Sequence, residues 1–423
     1  MVWQGILGIF VFLGTAWALS ENRQFRQTRI IVTGVGLQIT LAVIITQFSI
    51  VLAGFKSLSR AIDALKMATQ EGTKFMFGYL GGGNTPFAVV PESGVGTFIF
   101  AFQALPMIMV VSALSMLLFH WQIIPAVVRV LSWALQRTLK IGGALGVVAA
   151  AKVFFGPIEA PLLIRPYLKN FSRAELFTVM SCGMATTSAT IMTLYSSILA
   201  NTISDPIAHI LIASIISIPA AITLSRLVVP HAGPSSSGNL VVPYKFSNWM
   251  DAISRGTSDG LGIFMNIIAM LIVVLALVAL LNTILGTLPS YGGESLTLQR
   301  ILGFFMAPIT WLMGIPWSEC IAAGRLLGTK TALNEVVAFL DLAKLPRSEL
   351  SAHSALIMTY ALCGFANFSS IGLVIGGLGS MVPERRDEIV GLGLKSLIVG
   401  TLATCMSGTI IGILASLNGE LIR

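Results

Sequence analysis

Apolar runs long enough to cross a bilayer recur along the chain, separated by short basic or polar turns. Residues 1–20, 30–55, 97–121, 176–204, 206–225, 261–288, 354–383 and 391–417 each read as one span. A spanning helix needs roughly 20 apolar residues whose backbone hydrogen bonds close internally. Two stretches break this pattern. Residues 142–167 are apolar, yet carry Lys152 and Glu159 and are interrupted by Gly156-Pro157, Pro161 and Pro166. Residues 301–342 are interrupted by Pro308, Gly314 and Pro316, and then carry Glu319, Arg325, Lys330 and Glu335. Proline removes a backbone donor and breaks the helical ladder. The first stretch is therefore predicted to enter the membrane, turn near Gly156 and return, and the second is its interrupted counterpart. Irregular backbone at that depth survives only inside protein or beside a watery cavity. Between 57 and 72, Leu58, Ala61, Ile62, Leu65 and Ala68 share one helical face, with Arg60, Asp63, Lys66 and Glu71 elsewhere. That pattern predicts an amphipathic helix in the interface.

Span, broken hairpin, polar-rich span and span occur twice in order, which suggests a structural repeat. The resulting division is 1–90 for peripheral spans and interfacial helix (a scaffold), 91–228 for the first repeat with its hairpin at 142–167, 229–257 for a polar cytoplasmic linker, and 258–423 for the second repeat with its hairpin at 301–342. Arg23, Arg26, Arg29, Arg129, Arg137, Lys140, Lys169, Arg173, Arg385 and Arg386 mark the cytoplasmic turns. Counting spans between them puts both termini outside and makes the hairpins enter from opposite faces. Fold class is thus an all-α integral membrane protein with about eight spans and inverted repeats, the architecture of alternating access.

Composition sharpens this reading. Of 423 residues 55% are hydrophobic and 10% charged, where soluble domains run near 25% charged. No strand-sized alternation suggests a barrel. The apolar start lacks a basic flank and a small-residue cleavage site, so it is read as a span and not a signal peptide. The net charge of +8 fits basic cytoplasmic loops better than a nucleic-acid partner. Cys182, Cys320, Cys363 and Cys405 are scattered in apolar surroundings without a CxxC, so neither a metal site nor a disulfide framework is expected. Gly324–Thr331 looks like a phosphate loop, but its glycine spacing is short and no strand leads into it; the glycines of 78–86 fail the same test. His120, His209, His231 and His353 pair with no motif, and HExxH and GxSxG are absent, so no enzyme is expected.

Three constellations carry candidate chemistry: Gly156 to Glu159, Asn334-Glu335, and Phe365 to Ser370 (FANFSS). An ionised carboxylate buried without a partner is costly, so Glu159 and Glu335 need donors. Either glutamate could instead close an internal salt bridge with Lys152 or Lys330, and Asn367, Ser369 and Ser370 could be ordinary interhelical bonds. Intramembrane ionisable groups are nevertheless candidates for a solute path. Carboxylates only accept hydrogen bonds, whereas Asn offers donors and an acceptor. Such a set suits a neutral, hydroxyl-rich solute, with Phe365 and Phe368 as a possible aromatic wall.

At these residues the chain resembles the concentrative nucleoside transporters of bacterial type. GxxEAPLLIRPYL at 156–168, AGRLLGTKTALNE at 323–335, CGFANFSSIG at 363–372 and GLGSMVPERRDEI at 377–389 carry the resemblance, which runs from about Gly72 to the C-terminus. It implies a homotrimer in a cell inner membrane, with a scaffold and a mobile transport part. It further implies nucleoside uptake coupled to Na⁺ or H⁺, without a cofactor. Residue by residue, Glu335, Asn367 and Ser370 match ribose-binding positions and Phe365 an aromatic one. Gly156, Pro157, Ile158 and Glu159 match the first hairpin tip on the base side, and Ile191 an apolar wall. The coupling-ion site falls on Lys152, Phe155, Thr186 and Thr187.

Two departures from the family pattern matter. Pro157-Ile158 stands where many members have Gln-Thr, removing two base-facing polar groups. Lys152 stands where sodium-coupled members tend to have Asn. Its ammonium is expected to occupy the Na⁺ position, so that Lys152 or a glutamate carries a proton instead. A lysine there could also simply snorkel or pair with a hairpin carboxylate. The alternatives are the same fold carrying another polar solute or a modified nucleoside with Na⁺ coupling, and a passive channel. Two hairpins entering from opposite faces argue against the channel.

Overall fold

The computed structural model describes residues 2–23, 28–47, 49–87, 98–157, 159–230, 246–289 and 295–418, and these are helical with no strand. The first half runs α1 (Val2–Ala18), α2 (Thr28–Gln47), α3 (Ser49–Phe77), a short α4 (Phe100–Gln103), α5 (Met107–His120), α6 (Ile123–Leu139), α7 (Gly143–Ala151), α8 (Glu159–Leu162), α9 (Arg165–Leu168), α10 (Arg173–Ala185), α11 (Ala189–Leu199) and α12 (Pro206–Val228). The second half runs α13 (Trp249–Leu285), α14 (Leu298–Leu312), α15 (Cys320–Ala332), α16 (Glu335–Lys344), α17 (Ala352–Leu362), α18 (Phe368–Met381) and α19 (Arg386–Leu417). Among the described residues, six helical stretches are long and apolar enough to cross a membrane. With α1 and the broken α17–α18 pair, the set reaches the expected eight.

The helices of the two halves correspond in order. α5 and α13 pair, α6 leads into α7 as α14 leads into α15, and α10–α11 and α17–α18 are each interrupted midway. Hairpin arms are too short to span. α7 has 9 residues, α15 has 13 and α16 has 10, or about 14 to 20 Å at 1.5 Å per residue against about 30 Å of hydrocarbon. Each arm must therefore stop inside the protein. The first hairpin turns at residues 152–157, as its Gly-Pro step requires. In the second, the turn falls at Leu333-Asn334, and α14 packs along α15 as a preceding helix.

Two boundaries differ from the sequence pattern. Pro106 separates α4 from α5. α13 begins at Trp249, capped by Asn248 accepting from the Asp251 amide at 3.0 Å, so it already includes the end of the polar stretch 229–257. Arg26, Ile158, His231 and the linker core 231–245 lie outside the described residues.

Small residues let these helices approach to backbone contact, as membrane interfaces favour. A Cβ on Gly256 or Gly260 of α13 would stand 2.6 or 2.7 Å from an α5 Cα. α10, α12 and α17 wrap α19, and the two broken spans cross at their breaks. Gly364, at φ +155°, is where a Cβ would come within 2.9 Å of the Met184 carbonyl.

Candidate solute site

The more complete cluster lies in the second half. Asn334 caps α16, its Oδ1 accepting from the Val337 amide at 2.9 Å, which fixes Glu335 in the first turn where a helix end favours an anion. Glu335 is buried. Its Oε1 accepts from the Tyr195 hydroxyl at 2.8 Å and its Oε2 from Asn367 Nδ2 at 2.7 Å. Asn367 in turn caps α18, its Oδ1 accepting from the Ser370 amide at 2.8 Å and the Ser369 hydroxyl at 2.7 Å. Asn367 thus has its orientation fixed by the cap and its amide nitrogen committed to Glu335. Ser370 and Phe365 are buried at the same break, with Phe365 8% exposed. Ile191 sits half-buried on α11.

Tyr195 went unnoticed in the sequence. Its signal was its position one turn after Ile191 on the same helix face. A tyrosine in an apolar helix needs a partner for its hydroxyl. The cross-helix partner is visible only once α11 packs on α16.

The first hairpin meets the other break. The Phe154 carbonyl accepts from the Ala189 amide at 3.2 Å, so the hairpin turn caps the start of α11. Lys152 is 1% exposed and donates to the Gly156 carbonyl at 3.3 Å. The Gly156 amide donates to Glu159 Oε2 at 2.9 Å, folding that carboxylate back on its own turn. Pro157 and the Lys152 ammonium both lie against Gly183 of α10. On the facing strand of backbone, Thr186 donates to the Cys182 carbonyl at 2.8 Å, and the Thr187 amide donates to Ser214 Oγ at 3.4 Å. The Phe155 ring points away into packing, edge-on to Phe119 with centroids 5.9 Å apart. The Phe155 amide donates to the Ala151 carbonyl at 2.9 Å, so only the Phe155 carbonyl is left to face an ion.

The salt-bridge alternative fails at both tips. Among the described residues Lys152 and Lys330 make no ion pair with Glu159 or Glu335; both ammonium groups bond neutral oxygens instead. No cluster of three His, Cys, Asp or Glu side chains that could hold a metal occurs among the described residues. What the geometry offers is a buried carboxylate and two polar helix breaks, reached by both hairpin turns.

Comparison with known proteins places the chain in a family. Family descriptions match in three blocks: "Na+ dependent nucleoside transporter N-terminus" over residues 7–80, "Nucleoside recognition" over 101–202, and "Na+ dependent nucleoside transporter C-terminus" over 209–412. The chain is 35% identical over 420 residues to nucleoside permease NupC of Helicobacter pylori, covering 98% of both. It is 32% identical over 426 residues to sodium/nucleoside cotransporter 1 of Rattus norvegicus, covering 96% of this chain and 63% of the rat protein. The structure of CNTnw in an inward-facing substrate-bound state matches with a TM-score of 0.89 and 31% identity over 99% of both chains. These relatives are transporters and not enzymes.

Proposed function

The chain belongs to the concentrative nucleoside transporter family, and from that premise we propose that it imports nucleosides by alternating access, with H⁺ as the coupling ion. One observation carries the solute assignment. The Glu335 carboxylate, held by Tyr195 and Asn367, opens α16 beside the capped start of α18. Two ribose hydroxyls are well matched to an acceptor-only group, with Asn367 and Ser370 completing the sugar side and Phe365 an aromatic face. Gly156, Pro157 and Glu159 then face the base, with Ile191 as wall. Because Gly156 already donates to Glu159, that carboxylate offers the base one remaining strong acceptor oxygen.

The ion assignment rests on Lys152, whose amino group lies at the first hairpin turn beside α10. A tethered ammonium there competes with a free Na⁺ for the same carbonyls, and Thr186, Thr187 and the Phe155 main chain form the rest of that pocket. The second reading is Na⁺ coupling, favoured by the family description itself. As a symporter, the protein would sit in a bacterial-type inner membrane as a homotrimer with both termini outside.

Uptake of labelled uridine and adenosine into proteoliposomes, with Na⁺ and pH gradients imposed separately, tests both halves. Accumulation driven by the pH gradient without Na⁺ is the expected result; a strict Na⁺ requirement at constant pH overturns the ion assignment. Mere equilibration would identify a passive path. Lys152→Asn is expected to gain a Na⁺-stimulated component that the wild type lacks.

A further inference from the structure

Lys330 is 0% exposed, and both of its hydrogen bonds go to uncharged oxygens: the Ala361 carbonyl at 2.7 Å and Thr404 Oγ1 at 3.1 Å. A buried ammonium is costly in a membrane protein unless its surroundings answer its charge. Here the answer is a helix end. α17 stops at Leu362, so the Ala361 carbonyl is among the last four, which lack an intrahelical amide. That end also carries the negative pole of the helix.

Beyond the break, polarity reverses. Asn367 caps the start of α18 and donates to Glu335. Lys330 lies in the last turn of α15 and Glu335 in the first turn of α16, on the two sides of one hairpin turn. The turn thus presents a cation to the C-terminal end of one half-helix and a carboxylate to the N-terminal cap of the next. Each charge sits where the backbone dipole favours it. The first hairpin lacks this arrangement, because Lys152 bonds the carbonyl of its own turn and Glu159 the amide of the same residue.

We propose that Lys330 is a positioning residue for the solute site: its ammonium clamps the second hairpin to the end of α17, and so holds Glu335 and Asn367 at the separation that receives a sugar. This rests on reading Glu335 as the sugar acceptor. Thr404 steadies the clamp from α19, and with the α17 end already occupied by a tethered cation, the second break has no need of a coupling ion.

The test uses the full chain in proteoliposomes, comparing Lys330→Met, Thr404→Val and Glu335→Gln. Initial rates against uridine concentration are read alongside amide hydrogen exchange of residues 362–371 without solute. Losing a charge-assisted anchor is expected to raise the half-saturating uridine concentration about tenfold or more. The maximal rate stays within about twofold, since the clamp acts on solute positioning and not on the moving step. The Asn367 and Ser370 amides exchange faster in Lys330→Met, and Thr404→Val moves both readouts in the same direction by less. Unchanged half-saturation and unchanged exchange in folded Lys330→Met overturn the proposal. If that variant does not fold, unchanged values in Thr404→Val overturn it instead. Full uptake by Glu335→Gln sinks the sugar assignment alone, and exchange at 362–371 then still decides the clamp.

Discussion

Glu335 is buried with two hydrogen-bond donors of different kinds, a phenol from α11 and an amide from the α18 cap. Removing the phenol leaves Oε1 without its donor in a place water reaches poorly. An unmet buried acceptor costs about 1–3 kcal/mol. Tyr195→Phe is therefore expected to weaken nucleoside half-saturation about tenfold while leaving the fold intact; a titration of uptake in proteoliposomes checks this. A change under twofold would mean that Tyr195 serves packing against Phe339, whose ring centroid lies 4.6 Å away. The Phe155 ring packs on Phe119, whereas Tyr195, outside every motif, reaches the carboxylate.

At the scale of elements, the breaks in α10–α11 and α17–α18 are held open by contacts that no single helix could supply. α11 starts where the first hairpin turn accepts its leading amide, and α17 stops where Lys330 meets its trailing carbonyl. The tight crossing of α19 over α10 supports the first break. A Cβ on Gly400 would stand 2.4 Å from Met184 Cβ and 3.0 Å from its carbonyl carbon, next to Ala185 where α10 ends. Backbone at that distance yields poorly, so Gly400→Ala is expected to lose about 1–3 kcal/mol through overpacking. Gly391, on the same helix, has open space around it, and its change to Ala should be neutral or mildly stabilising. Thermal unfolding in detergent compares the two; equal midpoints would show that the α10–α19 crossing tolerates widening.

At the scale of the whole molecule, one ionic cluster ties the start of the chain to its end. Glu21, between α1 and α2, accepts from Arg173 at 3.1 and 2.9 Å and from Lys395 at 2.8 Å, while Arg173 also faces Glu388 at 3.6 Å. The Arg173 hydrogen bonds above all, with Lys395 adding and partial burial opposing, hold the Glu21 carboxyl down from 4.5 to about 2. A carboxyl depressed on folding contributes stability that is present in full above its unfolded value. That contribution is lost as pH falls from about 4.5 through about 2. Acid titration of the unfolding midpoint should therefore show a decline in this window that Glu21→Gln flattens. An identical acid limb in the variant would mean the cluster adds nothing measurable, the usual fate of exposed pairs.

Hydropathy and proline placement in the sequence determined the helical class, the number of spans and the two interrupted stretches, because a bilayer imposes length and hydrogen-bond closure on each segment separately. The motifs around Glu335 and Asn367 were legible for the same local reason: a cap residue and the amide it serves lie within one turn. Other features came only from tertiary structure, among them the partnership of Tyr195 with Glu335, the choice of the Ala361 carbonyl over a glutamate by Lys330, and the crossing of the two breaks at Gly364 and Met184. Each joins groups far apart in sequence, and a buried charge selects its partner by where packed helices end, which local pattern does not encode.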